Sequence, residues 1–259
     1  NSLGYVVAPL IGGLLLFGSE VYAVETASGI DAVTMPYIGL AITFFVIAAV
    51  FFLIPMPDFK NPEKADAGVR AFKHPHFVWG WLGIFFYVGS EVTVGSILIN
   101  YLGDDSIMGL AENEADKYLS FYWGGLMIGR LMGAVSLSEI GDRKKFPLMT
   151  LAALFSFGII FLNATFKEHF TKGEFLSASS VAPFLLIVVI GFVFFALGRS
   201  RPGRMVGLFS AVAIVLTGIA MTGSGQTAMW AIIGIGLFNS IMWSNIFTLS
   251  IRGLGADTS

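Results

Sequence analysis

The chain is 259 residues long, 56% hydrophobic and only 12% charged, with a formal net charge of −2. Soluble domains carry about 25% charged residues, so this composition excludes an ordinary soluble globule, and the lack of any large basic patch excludes a nucleic-acid surface. There is no cysteine, which removes disulfide frameworks, thiolate metal sites and cysteine nucleophiles.

A helix needs roughly 20 apolar residues to cross the hydrocarbon core. Runs of that kind lie at 3–19, 34–54, 77–101, 118–138, 146–163, 182–198, 205–222 and 228–251. They predict an all-α, polytopic bundle of about eight spans, because continuous apolar runs satisfy their backbone groups within one helix. The chain begins at Asn1 rather than Met and ends at Ser259 just past an apolar run, so it is expected to be an internal piece of a longer protein. Residues 55–75 carry Pro55, Pro57 and Pro62 among charged residues and read as a linker between two groups of helices.

The loops test this parse independently. Lys60, Lys64, Arg70, Lys73, Arg143, Lys144, Lys145, Arg199, Arg201, Arg204 and Arg252 all fall on one set of alternate loops, which is eleven of the fifteen Lys and Arg residues. The opposite set holds Lys117, Lys167 and Lys172, with most of the acidic residues. The positive-inside rule then places loop 55–75 in the cytoplasm.

Two ionisable residues lie deep within spans, Glu91 in the third run and Arg130 in the fourth. Counted from the outer ends of consecutive helices they reach similar depths, close to the midplane. A charge there costs at least about 2.5–3.5 kcal/mol and needs a partner or a wet cavity. Each can serve as the other's partner, either as a structural clamp or as part of a substrate or ion pathway. Asn239, Trp243 and Asn245 lie in the last run, and the i, i+4 spacing of Asn239 and Trp243 puts an amide and an indole on one helical face. That pairing suits a sugar, with hydroxyls for the amide and a C–H face for the ring; interhelical hydrogen bonding is the competing reading. Aromatic and imidazole residues at His74, His76, Trp79 and Trp81 mark an inner boundary rather than a metal site.

Gly129-Arg130-Leu131-Met132-Gly133 leads into Glu139 and Gly141-Asp142-Arg143-Lys144-Lys145 on the cytoplasmic side. Glycines allow close helix packing, and Asp142 with Arg143 offer charges that can lock and release two helical groups as a cytoplasmic gate. No nucleophile elbow and no phosphate-binding loop is present, so neither an enzyme nor an ATP-driven pump is expected, and no cofactor is expected.

These residues together resemble a family. The Gly-Asp-Arg loop with its upstream Gly-Arg resembles the loop signature of the major facilitator superfamily. His74-Pro75-His76, Phe85 through Val92, Phe121 through Arg130 and Gly236 through Met242 look like its fucose/glucose/galactose:proton symporter branch. The opening Asn1-Ser2-Leu3-Gly4 looks like that branch's fifth helix. The resemblance implies a two-bundle transporter working by alternating access. Residues 1–54 would be the last two helices of the N-terminal bundle, 55–75 the inter-bundle linker, and 76–259 an incomplete C-terminal bundle. Three apolar runs stand where the family has one, which implies an extra helical hairpin within 146–198. Trp243-Ser244-Asn245 stands where many relatives have Phe-Pro-Thr. The implied partners are a small-molecule sugar, protons or sodium as coupling ion, and the lipid bilayer, for a monomer in the bacterial inner membrane. Glu91, Asn239, Trp243 and Asn245 would line the cavity, and the family's proton-binding carboxylates lie mainly in early helices. A passive facilitator, a sodium-coupled carrier and a non-transporting sensor remain as rival readings.

Overall fold

A computed structural model describes residues 29–54, 70–173 and 175–254. The first apolar run and most of the 55–75 linker lie outside the described residues. The described residues are helical with no strand, and the helices are α1 (Gly29–Leu53), α2 (Pro75–Gly103), α3 (Glu112–Leu137), α4 (Asp142–Lys172), α5 (Ala178–Gly198), α6 (Pro202–Thr222), α7 (Gly225–Asn239) and α8 (Met242–Ser250).

Local chemistry explains most of these boundaries. Pro75 and Pro202 sit in the first turns of α2 and α6, where a missing N–H costs nothing. The Ser177 hydroxyl accepts from the Ser180 amide and caps α5. Gly173 ends α4 at φ 71°, the left-handed conformation that glycine adopts without strain. Arg199 and Ser200 turn α5 into α6 with φ of 49° and 53°.

The molecule is a multi-pass membrane protein. Residues 75–103, 143–166, 180–198, 202–222 and 225–250 form helices long and apolar enough to cross a bilayer. Helix α3 falls short of that apolarity, and its position explains why: Phe121, Tyr122, Leu126, Met127, Ile128 and Met132 are buried among the other helices. A helix screened from lipid by its neighbours has no need to be apolar all round. The exposed faces carry large apolar side chains, as with Phe85, Phe86, Leu151 and Phe155. Every described side chain of α1 is exposed, including Phe45 and Phe52.

Contacts at the helix ends agree with the alternating path expected from the loop charges. The Tyr101 hydroxyl donates to the Ala220 carbonyl at 2.5 Å, joining the ends of α2 and α6. Lys117 pairs with Glu168 at 2.8 Å where α3 begins and α4 ends. At the other end the Ser200 hydroxyl donates to the Ser136 carbonyl at 2.6 Å, and Lys145 donates to Ser200 at 3.3 Å. Polar links thus join the helices at both ends.

The final run, expected as one helix, is broken. Helix α7 ends at Asn239 and α8 begins at Met242, with Ile241 near φ −99°, ψ −1°. The Ser240 hydroxyl and amide both turn back to the Leu237 carbonyl, at 2.6 Å and 3.3 Å, which tightens the turn locally. Helix α7 is buried along nearly its whole length, from Ala228 to Asn239.

It reaches that depth because α3 meets it with glycines. A β-carbon at Gly125 would lie 3.1 Å from the Leu237 amide nitrogen. One at Gly129 would collide with the Ser240 side chain, and one at Gly236 with the Tyr122 carbonyl oxygen. Gly133 continues the stripe against Ile241 at 2.6 Å. In lipid such backbone approach replaces the hydrophobic drive that packs helices in water. Gly236→Ala should therefore destabilise the protein by about 1–3 kcal/mol through overpacking. Gly207→Ala, with nothing within 4 Å of its added methyl, should be neutral or gain up to about 1 kcal/mol. Thermal unfolding in detergent reads the difference, and equal melting points for the two variants would rule out the close contact.

Candidate functional site

Glu91 lies midway along α2 and is only 8% exposed. Its carboxylate accepts from Arg130 Nη2 on α3, at 3.1 Å to Oε1 and 3.4 Å to Oε2. Oε2 also accepts from the Tyr87 hydroxyl, one turn earlier on the same helix. The Tyr122 hydroxyl donates to the Glu91 backbone carbonyl at 2.9 Å and ties α3 to α2 beside the pair. Desolvating two charges costs several kcal/mol, so such a pair persists only where good geometry and extra donors compensate. The Tyr87 hydroxyl is one of those donors.

Beside this network a cleft of about 980 Å³ opens between α2, α6, α7 and α8. Its polar lining comes from His76, Tyr87, Ser90, Ser210, Thr217, Asn239 and Ser250, set among apolar residues such as Trp79, Ile235 and Met242. A few polar groups on a mostly apolar wall is the usual make-up of a small-molecule site. Asn239 is buried at the end of α7 and lies against the Tyr122 hydroxyl, yet its Nδ2 finds no partner in hydrogen-bonding geometry. Buried donors of that kind are rare and call for a water or a ligand oxygen.

The expected residues separate at this point. Asn239 lines the cleft, whereas Glu91 stands behind its wall, with Tyr87 and Ser90 as the lining positions. Trp243 is half exposed, stacks on Phe247 with 5.3 Å between ring centres and does not line the cleft. Asn245 is buried with its Nδ2 unpartnered, also off the cleft. The shared face expected for Asn239 and Trp243 is lost because the break at Ser240 and Ile241 interrupts the helical repeat between them. At the basic end Arg143 is exposed in the first turn of α4, and the side chain of Asp142 lies outside the described residues. A polar link at this end runs through Lys145, Ser200 and Ser136.

Comparison with known proteins gives the lineage. The chain is 32% identical over its whole length to a glucose/galactose transporter of Brucella abortus, covering 49% of that protein. It is 30% identical over its whole length to a putative glucose/galactose transporter of Helicobacter pylori, covering 50% of it. This chain is related to the glucose/galactose branch of the major facilitator superfamily. An L-fucose-proton symporter of Escherichia coli is 23% identical over 60% of the chain and 40% of its own length. The chain spans about half the length of the glucose/galactose relatives it matches. No family model and no solved structure matches it.

Sequence reasoning missed Tyr87, Tyr122, Ser90 and Ser210. Tyr87 carried a usable signal, since a hydroxyl four residues before a buried carboxylate lies on its helical face. Ser210 carried none, because it is brought to the cleft by α6 and touches Met242 Sδ at 3.7 Å across helices. Arg130→Met, which strands Glu91 without its counter-charge, should destabilise the protein. The loss should be less than the about 3–5 kcal/mol of a fully buried pair, since the Arg130 side chain is 28% exposed. Glu91→Gln combined with Arg130→Met should recover part of that loss. Strictly additive losses in a double-mutant unfolding cycle would show that the two side chains do not interact.

Proposed function

We propose that this chain is the middle and rear of a secondary active transporter that moves a hexose-type sugar across the bacterial inner membrane by alternating access with proton coupling. The observation that carries the reading is the buried Asn239, whose Nδ2 lacks a hydrogen-bond partner, in a cleft beside a membrane-embedded ion pair. Its support is the relatedness to glucose/galactose transporters along the entire chain. An amide and hydroxyls set among rings match the alternating polar edges and C–H faces of a pyranose.

In this reading the sugar sits near the midplane against Asn239 and Ser90, with Tyr87 beside it. A second bundle would then close over the cleft. Rocking of two bundles about a midplane site is the general mechanism that such a layout serves. The loop 55–75 would be the cytoplasmic linker, with Asp142 and Arg143 as the cytoplasmic gate. The working unit is a monomer in the bilayer.

The test is uptake of labelled glucose and galactose by the full-length protein in proteoliposomes. An inward proton gradient should drive accumulation, and counterflow should proceed without one. Counterflow with no gradient effect would mark a passive facilitator, and accumulation driven only by sodium a sodium-coupled carrier. Hexose binding with no movement would mark a sensor. Asn239→Ala should raise the half-saturating sugar concentration about tenfold, the equivalent of one hydrogen bond of about 1.4 kcal/mol. An unchanged value would remove Asn239 from the site.

A further inference from the structure

Tyr87 belongs to two places at once. Its side chain lines the cleft, and its hydroxyl donates to Glu91 Oε2, behind the cleft wall. A phenol has one proton to donate, so it cannot donate to Glu91 and to an acceptor oxygen of a cleft ligand at the same time. Glu91 itself does not line the cleft.

The surroundings of Glu91 leave few other donors. From α3 it faces Arg130, which keeps its proton at any accessible pH, and Tyr122, whose hydroxyl is already given to the Glu91 backbone carbonyl. Helices α7 and α8, which also pack against α2, carry no titratable side chain, and Asn239 of α7 lies against Tyr122 of this network. Oε2 therefore has the Tyr87 hydroxyl and a longer Arg130 contact of 3.4 Å. Removing the first leaves an oxygen whose full satisfaction requires a new donor.

We infer that Tyr87 couples the sugar cleft to the Glu91–Arg130 pair: a sugar hydroxyl takes over the Tyr87 hydroxyl, and the carboxylate left behind binds a proton from water. This rests on the sugar-transport reading above. The new bond is O–H at Glu91, Arg130 stays protonated, and the site gains one positive charge per sugar bound. Sugar and proton therefore favour each other's binding, and by linkage the preference is reciprocal. That sign is the one a symporter needs, since the two ligands load and leave together. Glu91 then acts as a coupling site in the C-terminal bundle, and Tyr87 as a positioning residue between it and the sugar.

The experiment uses the full-length protein in detergent and weak buffer, with proton uptake followed as galactose or glucose is added between about pH 5 and 8. Wild type should take up as much as one proton per sugar within that window. Tyr87→Phe, which keeps the ring and loses a sugar hydrogen bond, should bind sugar more weakly, and at saturating sugar its proton uptake should be reduced at least tenfold. In proteoliposomes it should lose gradient-driven accumulation at sugar concentrations high enough to restore counterflow. Glu91→Gln should show the same split, and it carries the test alone if Tyr87→Phe does not fold. Proton uptake at the wild-type level in either variant overturns the inference. Sugar binding by wild type without proton uptake at any of these pH values overturns it too, while leaving hexose transport intact. No hexose binding or exchange by wild type sinks both readings together.

Discussion

The backbone contact between α3 and α7 organises the site more than any side-chain bond does. Gly125 and Gly129 of α3 let α7 approach until a methyl group would no longer fit, and Gly236 does the same from the α7 side. The two helices are thereby held in a single register. Arg130 follows Gly129 directly, and Asn239 precedes Ser240, the residue seated on Gly129. One packing contact therefore positions both the charge that meets Glu91 and the amide that lines the cleft. Small residues at a membrane helix interface permit this because lipid offers no competing hydrophobic drive between helices.

The ion pair is affordable only inside such a frame. A lone carboxylate at this depth would cost several kcal/mol, and Arg130 and Tyr87 share the task of compensating it. Arg130 comes from α3, so the same helix that fixes the cleft also supplies the counter-charge beside it. Polar and charged groups face inward while Phe85, Phe86 and Phe155 face outward. The arrangement inverts the surface rule of a soluble protein and follows the polarity of the bilayer.

The break after Asn239 serves the same end. A continuous helix from 225 to 250 would satisfy its own carbonyls throughout. The turn at Ser240 and Ile241 instead directs the Ser240 hydroxyl onto the Leu237 carbonyl. Irregular backbone at membrane depth is tolerated where protein buries it or a cavity borders it, and here Ser240 is buried and Asn239 borders the cleft.

Much of this was legible in the residues alone. Apolar runs of bilayer length and the segregation of Lys and Arg among the loops establish a multi-pass helical protein, because the bilayer constrains length and charge one segment at a time. The pairing of Glu91 with Arg130 was legible too, since consecutive antiparallel helices carry them to matching depths. What only the tertiary structure decided is which polar groups share a space. Tyr87 stands between Glu91 and the cleft, Ser210 arrives from α6, and Trp243 leaves the face of Asn239 at a helix break. Periodicity sets Tyr87 beside Glu91 but not at the cleft: the cleft itself and the arrival of Ser210 depend on how separate helices approach, and the departure of Trp243 on a break within one apolar run.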